Sequence, residues 1–112
     1  MKFYKIDGQV VISDKSLTVG EELIPNTTDA AGEKHVPVIT ITNNTVTVTV
    51  GSVEHPSIPE HYIEWIMLET SKGMQMKWGK PGFVPTAVFT IAEDETILAA
   101  YEYCNLHGLW KA

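Results

Sequence analysis

At 112 residues, 44% of them hydrophobic, the chain can build one compact core and is too short for two ordinary domains. Its 14 acidic residues outnumber eight lysines, with no arginine, giving a formal charge of −6 and none of the forked guanidinium donors that read phosphates and bases, so nucleic acid is excluded as a partner class. No apolar run has the length of a membrane span and no signal-peptide pattern opens the chain, which leads to the expectation of a cytoplasmic protein without membrane contact, and a single cysteine excludes an intramolecular disulfide.

Residues 1–30 carry one β-prone stretch, Gln9 to Ser13, followed by Gly20, Pro25, Asn26 and the small-residue run Asp29-Ala30-Ala31-Gly32. An irregular N-terminal arm and loop are expected here, with residues 31–112 forming the body of a single domain, 1–112. The Asn-x-Thr triplets at Asn26 and Asn43 would be glycosylation sites only in a secreted chain, and nothing in the sequence routes it outward.

Next come Val36 to Thr42 and Thr45 to Val50, joined by Asn43-Asn44, whose side chains tolerate positive φ. This pattern predicts a β-hairpin. The alternation Thr45-Val46-Thr47-Val48-Thr49-Val50 puts the valines on one face and the threonines on the other, as in a half-buried antiparallel strand. Further strands are expected at Tyr62 to Glu69, Met74 to Trp78, Thr86 to Ala92 and Thr96 to Tyr103, divided by Gly, Pro and acidic turn residues. The fold class is all-β, an antiparallel sandwich or barrel. Trp65, Trp78, Trp110, Met67, Met74 and Met76 are assigned to packing.

All four histidines, His35, His55, His61 and His107, fall at expected strand boundaries, and Cys104 lies three residues before the last of them. A lone histidine usually coordinates nothing. Five such donors in such places form a candidate metal set, with His55 and His61 bracketing one loop and Cys104-Asn105-Leu106-His107 forming a Cys-x-x-His. If His61 opens its strand, period two places it on the face of Ile63, Trp65 and Met67. A structural zinc would use only four ligands, whereas four imidazoles and a thiolate suit a five-coordinate redox metal such as iron with one open position. Glu33 and Lys34 immediately precede His35, and on so acidic a surface Lys34 is the local cation an anionic substrate would need.

Together, Glu33-Lys34-His35-Val36-Pro37, His55-Pro56 with His61-Tyr62-Ile63-Glu64-Trp65, and Cys104-Asn105-Leu106-His107-Gly108-Leu109-Trp110 resemble the iron-site motifs of superoxide reductases, a family that includes neelaredoxin and the larger desulfoferrodoxin. The resemblance runs from about Leu23 to Trp110. It implies an immunoglobulin-like seven-stranded antiparallel β-barrel or sandwich, assembled as a homo-oligomer (dimer or tetramer), in anaerobic or microaerophilic cells. It further implies one mononuclear non-haem iron, cycling between Fe2+ and Fe3+, that reduces superoxide to hydrogen peroxide with electrons from a rubredoxin-like donor. On this resemblance His35, His55, His61 and His107 are the equatorial metal ligands and Cys104 is the axial thiolate. Glu33 is the sixth ligand of the ferric state, and Lys34 is the catalytic cation that attracts superoxide and helps deliver a proton.

One departure stands out. Met1-Lys2-Phe3-Tyr4-Lys5 resembles the opening of the cysteine-rich iron domain of desulfoferrodoxin, yet Ile6 replaces the expected cysteine and no other precedes Cys104. A second iron centre is thereby ruled out. Two other readings remain open: a non-catalytic iron electron carrier, and a β-sandwich binding module held by zinc.

Overall fold

A computed structural model describes residues 1–29 and 34–112, and Glu33 therefore lies outside the described residues. Ten strands form three antiparallel sheets. The arm holds β1 (Lys2–Ile6), β2 (Gln9–Ser13) and β3 (Glu21–Leu23) in the order β2-β1-β3. The body holds β4 (Pro37–Thr42), β5 (Thr45–Val50), β6 (Ile63–Thr70), β7 (Gly73–Trp78), β8 (Thr86–Thr90), β9 (Ile97–Cys104) and β10 (Gly108–Lys111). Its two sheets, β10-β9-β6-β7 and β4-β5-β8, remain separate, so the seven strands form a sandwich and not a closed barrel. Among the described residues no helix is long and apolar enough to cross a membrane.

The alternation in β5 becomes the centre of the sandwich. Val46, Val48 and Val50 are fully buried against Ala87 and Phe89 of β8, and against Ile63, Ile66, Leu68, Ala100 and Cys104 of the facing sheet. Asn43 takes a φ of 54° in the turn that sets the register Thr42 opposite Thr45.

The arm is more ordered than its sequence suggested. Asp7 and Gly8, at φ 50° and 75°, make the tight turn between β1 and β2, a hairpin signal that sequence reasoning passed over. Phe3 then packs with Trp65, Met67, Ala99, Tyr101 and Leu109 on the outer face of the four-stranded sheet. Its ring lies 4.7 Å from that of Tyr101 and 6.1 Å from that of Trp65. Strand β6 is consequently covered on both faces, which explains its nearly unbroken apolar run. Trp65 and Trp110 are buried, whereas Trp78 is 79% exposed and lies at the rim.

A β-bulge changes the side-chain parity at the start of β6. Ile63 pairs with Cys104, but it is Trp65 that pairs with the next residue back, Tyr103, leaving Glu64 as the extra residue. Ile63 therefore faces the sandwich core with Ile66 and Leu68, while Trp65 and Met67 face the arm. The expected common face for Ile63, Trp65 and Met67 is corrected accordingly; period two cannot be counted through a bulge. Gly79 donates its amide to the Glu64 carbonyl at 2.9 Å, and a Cβ there would collide with the carbonyl of Ile63, so the bulge requires glycine.

Candidate metal centre

Strand register gathers the chemically distinctive residues at one end of the sandwich. The start of β4 lies against the end of β5 through Pro37 and Val50, and the start of β6 lies against the end of β9 through Ile63 and Cys104. The β9–β10 turn then returns at once, pairing Gly108 with Cys104. His35 comes just before β4, His55 and His61 lie in the β5–β6 connection, Cys104 ends β9 and His107 occupies the final turn. Residues far apart in the chain thus converge because antiparallel pairing returns each strand to the same end.

The four imidazoles form a closed cycle. Ring centroids are 4.8 Å apart for His35 and His55, 4.7 Å for His55 and His61, 5.1 Å for His61 and His107, and 4.9 Å for His107 and His35. The Cys104 sulfur lies 3.6 Å from His55 Nε2 and 3.9 Å from His107 Nδ1, two corners that are not neighbours in the cycle. One donor atom each from His35, His55, His61 and Cys104 lies within 4.8 Å of the others. His35 Nε2 and His107 Nδ1 are 3.1 Å apart. The His107 ring nitrogen nearest both His35 and Cys104 is Nδ1, with only two residues separating His107 from Cys104 in the turn.

Hydrogen bonds set the orientation of individual rings. His55 Nδ1 lies 2.7 Å from the carbonyl oxygen of Pro56, so Nδ1–H donates there and the Nε2 lone pair is directed at the cluster. His35 Nδ1 lies 3.3 Å from Oε1 of Glu102, a fully buried glutamate. This is an ion-pair contact without hydrogen-bond geometry, and it leaves Nε2 on the inward side of the ring, 3.1 Å from His107 Nδ1. Sequence reasoning missed Glu102, although period two along β9 puts Ala100, Glu102 and Cys104 on one face.

Two further residues brace the cluster. Trp110 stacks on His35 at 4.7 Å and 13°, and its indole N–H donates to the His107 carbonyl at 3.1 Å. Asn105 accepts the Tyr62 amide at 3.0 Å and donates to the Glu60 carbonyl at 3.0 Å, tying the β9–β10 turn to both neighbours of His61. His61 and Ile58 exchange backbone hydrogen bonds at 3.0 Å, closing a small loop around Pro59 and Glu60.

Access is one-sided. Cys104, His35 and His55 are buried, His61 is half-buried and His107 is exposed. Lys34, adjoining His35, is half-buried. Four borderline nitrogen donors and one soft sulfur exceed the four positions of a structural zinc and suit a redox metal such as iron.

Comparison with known proteins shows the family and the fold. The desulfoferrodoxin family model matches residues 27–112. A desulfoferrodoxin from Clostridium acetobutylicum is 50% identical over 100 residues, covering 86% of this chain and 78% of that protein. The crystal structure of the superoxide reductase from Treponema pallidum superposes with a TM-score of 0.84 at 36% identity, covering 100% of this chain and 98% of the other, arm included. A superoxide reductase (1Fe-SOR) from Giardia intestinalis matches 71% of this chain and 95% of its own, with a TM-score of 0.63 and 34% identity.

Proposed function

Since the chain belongs to the desulfoferrodoxin family, we propose that it is a superoxide reductase whose single mononuclear iron is held by His35, His55, His61, His107 and Cys104. The observation that carries this reading is the closed cycle of four imidazoles with the buried sulfur reaching two opposite corners of it. With those positions the four imidazoles and the thiolate would be the residues that hold the metal. Held by these residues, iron would supply the one-electron chemistry that takes superoxide, with two protons, to hydrogen peroxide, an external donor restoring the electron.

The residues of this chain divide the remaining work. Glu102 and the Pro56 carbonyl hold His35 and His55 in the tautomers that present Nε2. Burial of Cys104 shields the thiolate from water and from competing oxidants. Lys34 raises the local potential on a protein of charge −6, drawing in a small anion that the overall field would repel, and passes a proton through water. Glu33, on the family resemblance, would serve as a further carboxylate ligand to the oxidised iron. The exposed edge of His107 supplies the entry point for an electron from a small rubredoxin-like carrier. In this reading the chain forms one domain, works in the cytoplasm and assembles as a homo-oligomer.

The oxidised visible spectrum tests the proposal. Protein purified from iron-supplied cells is expected to carry one iron per chain and a thiolate-to-iron charge-transfer band in the red that Cys104→Ser removes. One zinc per chain with no visible absorption would replace it with the zinc-held binding module. A red band without superoxide reduction under pulse radiolysis would leave the non-catalytic electron carrier.

A further inference from the structure

His35 is the candidate ligand that lies next to the undescribed segment, within the three residues, 34–36, that separate it from β4. Its backbone is nonetheless held from two sides. On one side Asp29 Oδ1 accepts the amide of His35 at 2.6 Å and that of Val36 at 2.8 Å, so one carboxylate oxygen takes two successive N–H groups. On the other side Gly51, at φ 77°, lies directly against the Lys34 carbonyl group, where a Cβ would be 3.0 Å from the Lys34 carbonyl carbon and closer still to its oxygen. Gly51 immediately follows Val50, the partner of Pro37, and so extends the β4–β5 contact past the last ladder pair.

Taking the metal-centre reading above as its basis, we propose that Asp29 is a positioning residue for the centre, pinning the Lys34–His35–Val36 backbone against Gly51 so that the His35 imidazole stays in the cycle. Glu102 and Trp110 set the direction and plane of the His35 ring, but neither touches its main chain in the contacts described above. Burial raises the Asp29 carboxyl, but the amides of Val36 and His35 and the charge of Lys34 bring it below the ordinary aspartate value, so it is ionised and a strong acceptor at neutral pH.

The test uses Co2+ alone as the probe, with affinity read by chelator competition and the thiolate-to-cobalt band read by absorption. Asp29→Ala should weaken Co2+ binding about 10- to 100-fold, the usual range when an outer partner of a ligand is lost. Asp29→Asn, which retains an oxygen acceptor in the same place, should recover most of that loss. Gly51→Ala should weaken binding in the same way by pushing on Lys34 from the other side. Glu95→Gln serves as the control for general destabilisation, because Glu95 holds Thr70 and the Ala92 amide at the start of β9, away from the cluster; it should lower the urea midpoint of the metal-free chain without changing Co2+ affinity.

The inference is overturned if Asp29→Ala binds Co2+ as tightly as the wild type, or if Glu95→Gln weakens binding as much as Asp29→Ala does. It is also overturned if Asp29→Asn is as weak as Asp29→Ala, since charge and not backbone pinning would then be at work. A wild-type chain that takes up Co2+ without a thiolate band would sink the metal-centre reading itself, which separates the two failures.

Discussion

Replacing Glu102 by glutamine should move metal affinity and metal-free stability in different directions. The side chain is fully buried on the sandwich face of β9 and its carboxylate lies 3.3 Å from His35 Nδ1. The contact is electrostatic and lacks hydrogen-bond geometry, and exchanging a charged partner for a neutral one, at the usual difference between charged and neutral polar partners, forfeits roughly 1–1.5 kcal/mol of support for the metal-bound imidazole. At about 1.4 kcal/mol per decade, that is close to a tenfold loss of Co2+ or Fe2+ affinity. The metal-free chain responds otherwise, because a buried carboxylate carries a desolvation cost of several kcal/mol that the amide does not. Its urea midpoint should hold or rise. Chelator competition and urea denaturation on the same preparations decide the matter. Unchanged metal affinity would refute the role given to Glu102, and a parallel fall in both quantities would reduce it to ordinary packing.

Lys34→Ala should slow superoxide capture in pulse radiolysis and flatten its dependence on ionic strength, and an unaltered rate would remove Lys34 from the mechanism. Phe3→Ala should cost about 3–5 kcal/mol, the range for emptying a buried aromatic site, because Phe3 fills the contact between arm and body; a loss below about 1 kcal/mol would show that the arm adds little to the fold. Tyr101 is pushed up to about 12 by burial, and then by its hydrogen bond to Glu69 and the charge of that carboxylate. The unfolded chain releases this proton near pH 10 while the folded chain retains it, so the contribution is fully present below pH 10 and stability falls as pH rises from about 10 towards 12. Tyr101→Phe should remove that part of the slope in urea midpoints measured across the window, and an identical slope in the variant would assign it to other groups.

Much of this architecture is legible from local pattern. The valine–threonine alternation in β5 and the Asn43-Asn44 turn need only side-chain period and turn chemistry, and both appear as expected. The Asp7-Gly8 turn was equally legible and was overlooked because the arm lacks long apolar runs, its Phe3 being buried by residues more than 60 positions away. Strand β10 was missed for a related reason: four residues following a metal-type motif carry little periodicity of their own, and pairing with β9 makes them a strand. The parity of Ile63 and Trp65 was not legible at all, because a bulge arises from the pairing of two strands and leaves no mark on either alone.

The candidate centre divides in the same way. Sequence by itself determined which donors are available, four imidazoles and one thiol in a chain without a disulfide, and the chemistry those donors favour. Tertiary structure decided that the rings close into a cycle, that His107 Nδ1, His35 Nε2 and His55 Nε2 are the nitrogens facing their neighbours in the cluster, and that Glu102 and Asp29 stand behind His35. The physical reason is that donor chemistry belongs to individual side chains, whereas donor geometry comes from strand register and hydrogen bonds between segments that are distant along the chain.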